Sequence, residues 1–312
     1  MEKVSCRKAF TATLLEKALT DDSIFAVTTD SRGSVTIGEF AKQLPERFIE
    51  LGIAEQNAVS CASGIAKTGK NVFVAGPASF LAARAYEQVK VDVAYNNSNV
   101  KVVGVSAGVS YGPLGCTHTT MHDFASMRAL PNISILAPSD AVQTAFLTEK
   151  LCKLPGPYYM RMGRGDVDRV YQPGESFEIG KAKLVREGNV ATIIACGEMV
   201  APAVAASDLL RQQGISVRVL DCFTIKPLDI EAVKSALTDT KLVITAEEHS
   251  TLGGLGEAVA HVAVALRHSA PVEIMGLPEE VIIGKPHELF QLYGLTAENL
   301  ASKVLSLLEG LQ

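Results

Sequence analysis

The chain has 312 residues, of which 47% are hydrophobic and 20% are charged, so it can bury a sizeable core and is long enough for two domains. A formal charge of −5 with no run of lysine or arginine excludes an electrostatic footprint for nucleic acid. Residues 1–10 carry charges with no apolar stretch behind them, and no segment reaches the roughly 20 uninterrupted apolar residues of a membrane span. We therefore expect a cytoplasmic protein that does not enter a membrane.

The cysteines and histidines show neither metal-ligand nor disulfide spacing. The six cysteines are scattered without a Cys-x-x-Cys pair, so most are expected to be small buried hydrophobes. His118 and His122 are four residues apart, but no third ligand follows them. We expect no metal site built wholly within this chain.

In the first half of the chain, short β-branched runs alternate with longer helical patterns. Leu81, Ala85, Val89 and Val93 recur every four residues, which predicts one buried helix face. Such alternation favours a mostly parallel α/β sheet. The predicted strands are Ile24–Thr28, Asn71–Ala75, Val100–Val105, Ile133–Leu136 and Tyr158–Met160.

After Arg164 the pattern loosens, and a second alternation begins near residue 190. We predict an α/β domain over residues 1–165, a linker over 166–185 and a smaller α/β domain over 186–312. The elements predicted in the second domain are strands Val190–Cys196, Ser216–Leu220, Lys241–Ala246 and Val272–Met275, and helices Val200–Gln213, Gly256–Arg267 and Leu295–Leu308.

The stretch Leu51–Val59 places a lone glutamate, Glu55, in the first turn of an otherwise apolar helix. One interpretation is a helix-start acid that complements the macrodipole. The small and apolar residues that follow at helical spacing indicate instead a buried face, where a carboxylate needs a partner or a proton. Carboxyls perturbed in this way are candidates for proton transfer, so Glu55 is a candidate catalytic residue.

Two glycine-rich stretches could contact a ligand. Gly253–Gly256 opens a predicted helix but lacks the full Gly-x-Gly-x-x-Gly pattern, so a tight turn competes with an anion site there. The loop Ser110–His118 follows a predicted strand, and ligands of parallel sheets bind at the carboxyl ends of strands. His118 can donate hydrogen bonds or shuttle a proton there, or it can simply begin a helix.

Arg161 and Arg164 follow the run Tyr158–Met160, at the same predicted edge of the sheet. A guanidinium at that edge suits a phosphate or carboxylate on a substrate. The alternative for each arginine is a salt bridge between the two domains. Both are candidate substrate-binding residues.

The motifs stand in a definite order: Gly52-Ile-Ala-Glu-Gln-Asn-Ala-Val59, Gly64-Ile-Ala, Ser79-Phe-Leu, Arg84-Ala-Tyr-Glu-Gln-Val89, Gly115-Cys-Thr-His118, Arg128-Ala-Leu-Pro-Asn132, Pro138-Ser-Asp140, Arg164, Ala195-Cys-Gly197 and Thr245-Ala-Glu-Glu-His249. This order resembles the C-terminal half of transketolases, and in particular the small subunit of a split transketolase. It is also similar to deoxyxylulose-phosphate synthase and to the β subunits of 2-oxo-acid dehydrogenases. The resemblance implies a pyrimidine-binding domain followed by a transketolase C-terminal domain.

The resemblance implies a role for Glu55. In the family, the matching glutamate hydrogen-bonds N1′ of the pyrimidine of thiamine diphosphate and promotes the tautomer that deprotonates the thiazolium C2, a task that suits a buried carboxyl. Phe80 matches the aromatic residue that stacks on the pyrimidine. The other implied contacts are Asp30 with the cofactor, Ser34 and Arg164 with the substrate phosphate, His118 with a hydroxyl of the donor sugar, and, in the synthase branch only, Arg84 with the acceptor.

The chain also departs from the family pattern. Leu114 replaces an aspartate that contacts a sugar hydroxyl, and Ser106 replaces a histidine of the phosphate pocket. Both changes concern substrate recognition, so a branched, deoxy or sulfonated ketose phosphate is a candidate substrate.

The Gly-Asp-Gly and Asn that hold Mg²⁺ and the diphosphate in the family have no counterpart, because Gly165-Asp166 is followed by valine. We therefore expect a separate diphosphate-binding subunit, the N-terminal type of transketolase subunit, to hold Mg²⁺ through oxygen ligands. The expected complex contains two large and two small chains with a homodimeric contact, and the small chain alone is expected to be inactive.

The sequence thus predicts a transferase subunit that moves a two-carbon ketol (glycolaldehyde) unit from a ketose phosphate to an aldose. Two alternatives remain open. The chain could be an E1 β subunit that decarboxylates a 2-oxo acid, or a non-catalytic partner subunit.

Overall fold

Strands and helices alternate along residues 3–311, the part of the chain that the computed structural model describes. The strands are β1 (Lys3–Ser5), β2 (Ile24–Thr28), β3 (Phe48–Glu50), β4 (Asn71–Pro77), β5 (Val100–Val105), β6 (Ser134–Leu136), β7 (Tyr158–Arg161), β8 (Asp166–Asp168), β9 (Lys183–Arg186), β10 (Ala191–Ala195), β11 (Val217–Asp221), β12 (Thr224–Lys226), β13 (Val243–Ser250) and β14 (Val272–Leu277). The helices are α1 (Cys6–Ala18), α2 (Arg32–Val35), α3 (Gly38–Gln43), α4 (Glu55–Ala66), α5 (Tyr86–Gln88), α6 (Asp123–Arg128), α7 (Ala141–Lys153), α8 (Val200–Arg211), α9 (Ile230–Asp239), α10 (Leu255–Val264), α11 (Pro286–Leu292) and α12 (Ala297–Glu309).

The first sheet has seven strands in the order β12-β6-β7-β5-β4-β2-β3, and β2 to β7 pair in parallel. Its interior strand β4 is buried along its whole length. Val72 and Val74 join one hydrophobic core while Phe73 and Ala75 join the other, because successive side chains of a strand point to opposite faces. Helices cover both faces of the sheet. Because its central strands are parallel, their carboxyl ends lie together at one end of the sheet.

The second sheet has five strands in the order β14-β13-β10-β11-β9, with only the edge strand β9 antiparallel to its neighbour. Helices α8 and α12 pack together beside it, and their apolar residues form a separate core with β10 and β13. The fold class expected from the sequence, two α/β domains with mostly parallel sheets, is confirmed.

The segment predicted as a linker is tied to the first domain. Its first residues form β8, which pairs with β1 in antiparallel fashion. Farther along, the Asp140 carboxylate accepts the backbone N–H groups of Val170 and Tyr171 at 2.9 and 2.8 Å. The same carboxylate caps α7 by accepting the N–H of Gln143. The first half of the predicted linker is therefore ordered structure, and the domain limits themselves stay a prediction.

Strand β12 comes from the second half of the chain but extends the sheet of the first. Thr224 pairs with Leu136 at the edge formed by β6. Nearby, the Lys226 ammonium donates to the carbonyl oxygens of Arg128 and Leu130. The pairing of β12 with β6 joins the two domains through backbone hydrogen bonds. No local sequence pattern predicted this pairing.

The predicted helix face at residues 81–93 is buried, but the helix is irregular. Phe80–Arg84 and Val89–Tyr95 form π-helical turns on either side of α5. The apolar residues repeat every four positions, a period longer than the 3.6 residues of a regular α-helix. Wider turns keep the four apolar residues on one face.

No helix within residues 3–311 is long and apolar enough to cross a membrane. The cytoplasmic location stays a prediction.

Candidate active site

The candidate residues are spread over several segments that follow the carboxyl ends of parallel strands. Asp30 and Ser34 follow β2, Glu55 follows β3, and Phe80 follows β4. The loop to His118 follows β5, and Arg164 follows β7. Parallel strands bring their carboxyl ends to one edge, where α/β sheets bind ligands.

Glu55 begins helix α4 with only 1% of its surface exposed. Its Oε2 accepts a hydrogen bond from Nη1 of Arg84 at 2.8 Å. The guanidinium of Arg84 also lies over the ring of Phe80, 5.1 Å from the ring centroid. A buried carboxylate, a partly exposed aromatic ring and a half-exposed arginine therefore meet at one point. A buried carboxylate needs a partner of this kind, whereas a solvated helix-start acid does not.

His118 links this point to the next group of residues. Its ring lies edge-on to Phe80, with centroids 5.2 Å apart, and edge-on to Tyr111 at 5.5 Å. Nδ1 of His118 and Oγ1 of Thr117 are 2.8 Å apart and share a hydrogen bond. This bond orients the imidazole. Gly115 permits the bend that leads to it, with a φ of 71° that few other residues adopt.

Tyr111 connects His118 with the residues predicted to bind phosphate. Its hydroxyl lies 3.0 Å from Oγ of Ser34 and accepts a hydrogen bond from Nη1 of Arg164 at 2.9 Å. Arg7 donates to the carbonyl oxygens of both Ser34 and Arg164. Burial, and then the nearby charge of Arg164, lowers the pKa of the Arg7 guanidinium below its ordinary value. Two adjacent guanidinium groups favour an anion between or beside them.

The sequence interpretation missed Arg7 and Tyr111. Tyr111 lies inside the loop Ser110–His118, which the sequence analysis identified. An aromatic residue beside a glycine turn in that loop could have indicated it as a site residue. Arg7 lies in the first turn of α1, 157 positions away from Arg164 along the chain, and no local motif distinguishes it. A contact at that separation is decided by packing.

Three other positions lie apart from this series of contacts. Asp30 is exposed just beyond β2, with a φ of 51° and its N–H bonded to Glu50. Leu114 is about half exposed in the loop that leads to His118. Ser106 is fully buried, and its hydroxyl has no hydrogen-bond partner within residues 3–311. Ser106 therefore does not present a polar group to an open pocket.

Arg161 has different surroundings from Arg164. It is buried at the domain interface, where Nη2 donates to the Glu248 carbonyl at 2.6 Å and Nε lies 3.5 Å from Oδ2 of Asp123. Its guanidinium also lies over the Phe124 ring. Arg161 is the last residue of β7 and is directed into the second domain, whereas Arg164 lies beyond the strand and reaches Tyr111. The ion pair with Glu248 matches the alternative of a salt bridge between the domains, and the substrate contact of Arg161 stays a prediction.

The glycines at 253–256 surround an anion that the chain itself supplies. The carboxylate of Glu247 accepts the N–H groups of Leu255 and Gly256, each at 2.7 Å, at the start of α10. A Cβ atom at Gly254 would collide with that carboxylate. The helix start is therefore occupied by Glu247 and does not offer a free anion site.

Several buried carboxyl groups near this interface have a pKa raised into the neutral range. Burial raises the pKa of Glu247 and Asp221 to about 7 and that of Glu248 to about 8. Burial also lowers the pKa of His249 to about 4. The neutral imidazole donates from Nδ1 to the Ser250 carbonyl and accepts the Ala125 N–H at Nε2.

These carboxyl groups predict a loss of stability with rising pH. Between about pH 4.5 and pH 8, the folded chain keeps protons that the unfolded chain releases, so the free energy of unfolding falls as pH rises through that window. The unfolding temperature of the free subunit is expected to be several degrees lower at about pH 9 than at about pH 6. Thermal unfolding followed by circular dichroism measures this.

Glu248→Gln provides the control. It removes one titrating group, so the free energy of unfolding should fall less steeply with rising pH. His249 acts in the opposite direction only below about pH 6.5, so it does not disturb this range. A free energy of unfolding that rises between about pH 6 and pH 9 would contradict the prediction.

Both halves of the chain match known protein families. Family models match residues 2–169 as the transketolase pyrimidine-binding domain and residues 180–300 as the transketolase C-terminal domain. A subunit of an apulose-4-phosphate transketolase from Phocaeicola vulgatus is 50% identical over 304 residues, which cover 97% of each chain. A 6-deoxy-6-sulfo-D-fructose transketolase subunit from Clostridium sp. is 35% identical over 303 residues, or 96% of this chain and 93% of that one.

Among solved structures, a split-gene transketolase in an inactive β4 tetramer superposes with a TM-score of 0.89 at 36% identity, covering 99% of both chains. The fold is thus a pyrimidine-binding domain followed by a transketolase C-terminal domain. The chain belongs to the transketolase family, as the small, C-terminal subunit of a split transketolase.

Proposed function

We propose that this chain is the pyrimidine-binding subunit of a thiamine-diphosphate-dependent transketolase that transfers a glycolaldehyde unit from a branched ketose phosphate to an aldose. The observation that carries the proposal is the continuous series of contacts from Glu55 through Phe80 and His118 to Arg164. A buried carboxyl group lies at one end of the series, and a guanidinium with two hydroxyl groups lies at the other.

The residues at the first end fit the pyrimidine of thiamine diphosphate. Glu55 is a buried carboxyl group, and its ion-pair partner Arg84 approaches from the half-exposed side. Phe80 is partly exposed, so a planar ring can stack on it. When bound, the cofactor supplies the carbon nucleophile of ketol transfer.

The site residues then have separate physical tasks. Glu55 holds a proton at the pyrimidine ring nitrogen, in a pocket where exclusion of water strengthens the hydrogen bond. Phe80 fixes the plane of the ring. His118, oriented by Thr117, exchanges a hydrogen bond or a proton with a substrate hydroxyl. Asp30 is retained as a cofactor contact on the strength of the resemblance alone.

The second end fits a sugar phosphate. Arg164 and Ser34 both contact the Tyr111 hydroxyl, so a phosphate group in that space can receive hydrogen bonds from a guanidinium and from a hydroxyl. Arg7 holds these two residues together through their carbonyl oxygens. We assign Arg7 to positioning and Arg164 to direct binding.

Mg²⁺ belongs to another chain in this proposal. Within residues 3–311, no group of three or more histidine, cysteine, aspartate or glutamate side chains is arranged to hold a metal ion. The diphosphate-binding subunit would supply the oxygen ligands. The assembled enzyme would be a heterotetramer of two large and two small subunits.

The branched substrate is supported by the relative from Phocaeicola vulgatus, named for apulose 4-phosphate, and by the site itself. Leu114 offers an apolar side chain, about half exposed, at the position where the family has a hydroxyl-binding aspartate. An apolar group there removes a hydrogen bond to an ordinary sugar hydroxyl and replaces it with an apolar contact, which changes which sugars the site prefers. The sulfonated sugar of the Clostridium relative is the competing substrate.

The decisive experiment is co-purification with the candidate large subunit, followed by calorimetric titration of thiamine diphosphate with Mg²⁺ into the complex and into each chain. We expect binding to the complex only, and then turnover of apulose 4-phosphate in preference to xylulose 5-phosphate or 6-deoxy-6-sulfofructose. Binding to no sample would favour a non-catalytic partner subunit. Turnover of a 2-oxo acid instead would favour the E1 β alternative.

Replacing Arg164 with Gln tests the phosphate site. We expect the KM for the sugar phosphate to rise about 10- to 100-fold with a smaller change in kcat, because a charge-assisted hydrogen bond to phosphate is lost. Steady-state kinetics of the complex measures this. Arg211→Gln is the control, since Arg211 is exposed on the second domain. An equal loss with the unphosphorylated sugar would contradict the assignment.

A further inference from the structure

Arg84 makes both of the contacts that the proposed cofactor needs. Its Nη1 donates to Oε2 of Glu55 at 2.8 Å, and its guanidinium carbon lies 5.1 Å from the centroid of the Phe80 ring. The pyrimidine must hydrogen-bond the same carboxylate and stack on the same ring. A planar cation and a planar heterocycle cannot occupy that one space together.

The local backbone explains why one arginine reaches both groups. Phe80 and Arg84 are the first and last residues of one π-helical segment, so their side chains lie on the same side of it. Glu55 approaches from the first turn of α4, whose N-cap, Ala54, offers no side-chain hydrogen bond. The contact with the guanidinium is a charge-assisted hydrogen bond, which is stronger than one between neutral groups.

The exposure of the two partners is very unequal. The Glu55 side chain is 1% exposed, whereas the Arg84 side chain is 48% exposed. A buried carboxylate without a partner is costly, and an arginine on the solvent side can leave without opening a cavity in the core. Glu55 is thus a buried anion, and Arg84 is a cation that covers it from the solvent side.

We propose that Arg84 is a resident substitute for the cofactor's pyrimidine, which satisfies Glu55 and covers Phe80 until thiamine diphosphate displaces it. This inference rests on the proposed function. Cofactor binding then has to break the contact between Arg84 and Glu55, and the displaced guanidinium becomes free for the substrate contact that the sequence resemblance implies for it. Arg84 thus opposes cofactor binding and protects the empty site.

The first test is the affinity of the assembled complex for thiamine diphosphate with Mg²⁺, measured by titration calorimetry. Arg84→Met is expected to lower the Kd about tenfold or more, because the competing charge-assisted bond is gone. The matched control is Lys183→Met, since Lys183 also lies over a phenylalanine ring and pairs with a glutamate, but in the second half of the chain. Its Kd should equal that of the wild type.

The second test is thermal unfolding of the free subunit without cofactor. Arg84→Met is expected to lower the unfolding temperature by about 2 °C or more, since Glu55 is left buried and unpaired. The double variant Glu55→Gln with Arg84→Met should recover most of this loss, because the neutral amide no longer requires the cation. Lys183→Met again serves as the control.

The outcomes distinguish the substitute role of Arg84 from the proposed function of the chain. An unchanged or raised Kd in Arg84→Met would overturn the substitute role, and so would a double variant that recovers none of the lost unfolding temperature. No cofactor binding by the wild-type complex would instead defeat the proposed function, while the unfolding temperatures would still report on the ion pair.

Discussion

Glu55→Gln is expected to lower kcat of the assembled complex at least about 100-fold, the typical contribution of a positioned acid–base group. Glutamine has nearly the same shape and can still lie at the start of α4. It cannot hold and release a proton at the pyrimidine ring nitrogen, so the activating hydrogen bond is lost. Pre-steady-state and steady-state assays of ketol transfer, with size-exclusion chromatography to verify assembly, measure the effect.

The matched control is Glu231→Gln, because Glu231 is also a first-turn glutamate but is exposed and pairs with Lys234. It should leave kcat unchanged. Full activity of Glu55→Gln would show that Glu55 serves only as a helix-start acid, the alternative that the sequence left open.

Arg161→Met is expected to destabilise the free subunit by about 3–5 kcal/mol, because removing one partner from a buried ion pair leaves the other charges uncompensated. Asp123 and Glu248 face Arg161 from α6 and β13, and all three are buried. Burial raises the pKa of Glu248 to about 8, so the loss should be smaller at about pH 6 than at about pH 9, where that carboxyl is charged. Urea unfolding at both pH values measures the difference.

Arg186→Met is the control for this variant, since the Arg186 pair with Asp208 is largely solvated and should contribute less than about 1 kcal/mol. Under conditions where Arg161→Met stays folded in the complex, the KM for the sugar phosphate should not change. A raised KM with unaltered stability would return Arg161 to the substrate site.

The sequence was sufficient where the deciding interactions are local. Alternation of β-branched runs and helical stripes indicated both domains, because side-chain periodicity reports directly on which face of a strand or helix is buried. The apolar surroundings of Glu55 in the sequence predicted its burial, which the structure shows. The placement of the Ser110–His118 loop after β5 followed from the rule that parallel sheets bind ligands at one edge.

Arg161 and Arg164 show where sequence reasoning stops. They are three positions apart and carry the same chemical group, so their local patterns do not distinguish them. The structure separates them because Arg161 still belongs to β7 and bonds a carbonyl 87 positions away, whereas Arg164 lies past the strand end and meets Tyr111. Only the packing of the two domains decides which guanidinium is enclosed.

By itself, therefore, the sequence determined the α/β class, the two-domain order, the family and the burial of Glu55, since each depends on periodicity or on a contiguous motif. The tertiary structure decided that Glu247 fills its own helix start, that β12 crosses to the first sheet, and that Arg7 joins Ser34 to Arg164. These features depend on contacts between residues far apart in the chain. Such contacts form only when the whole core has packed, and no local pattern encodes them.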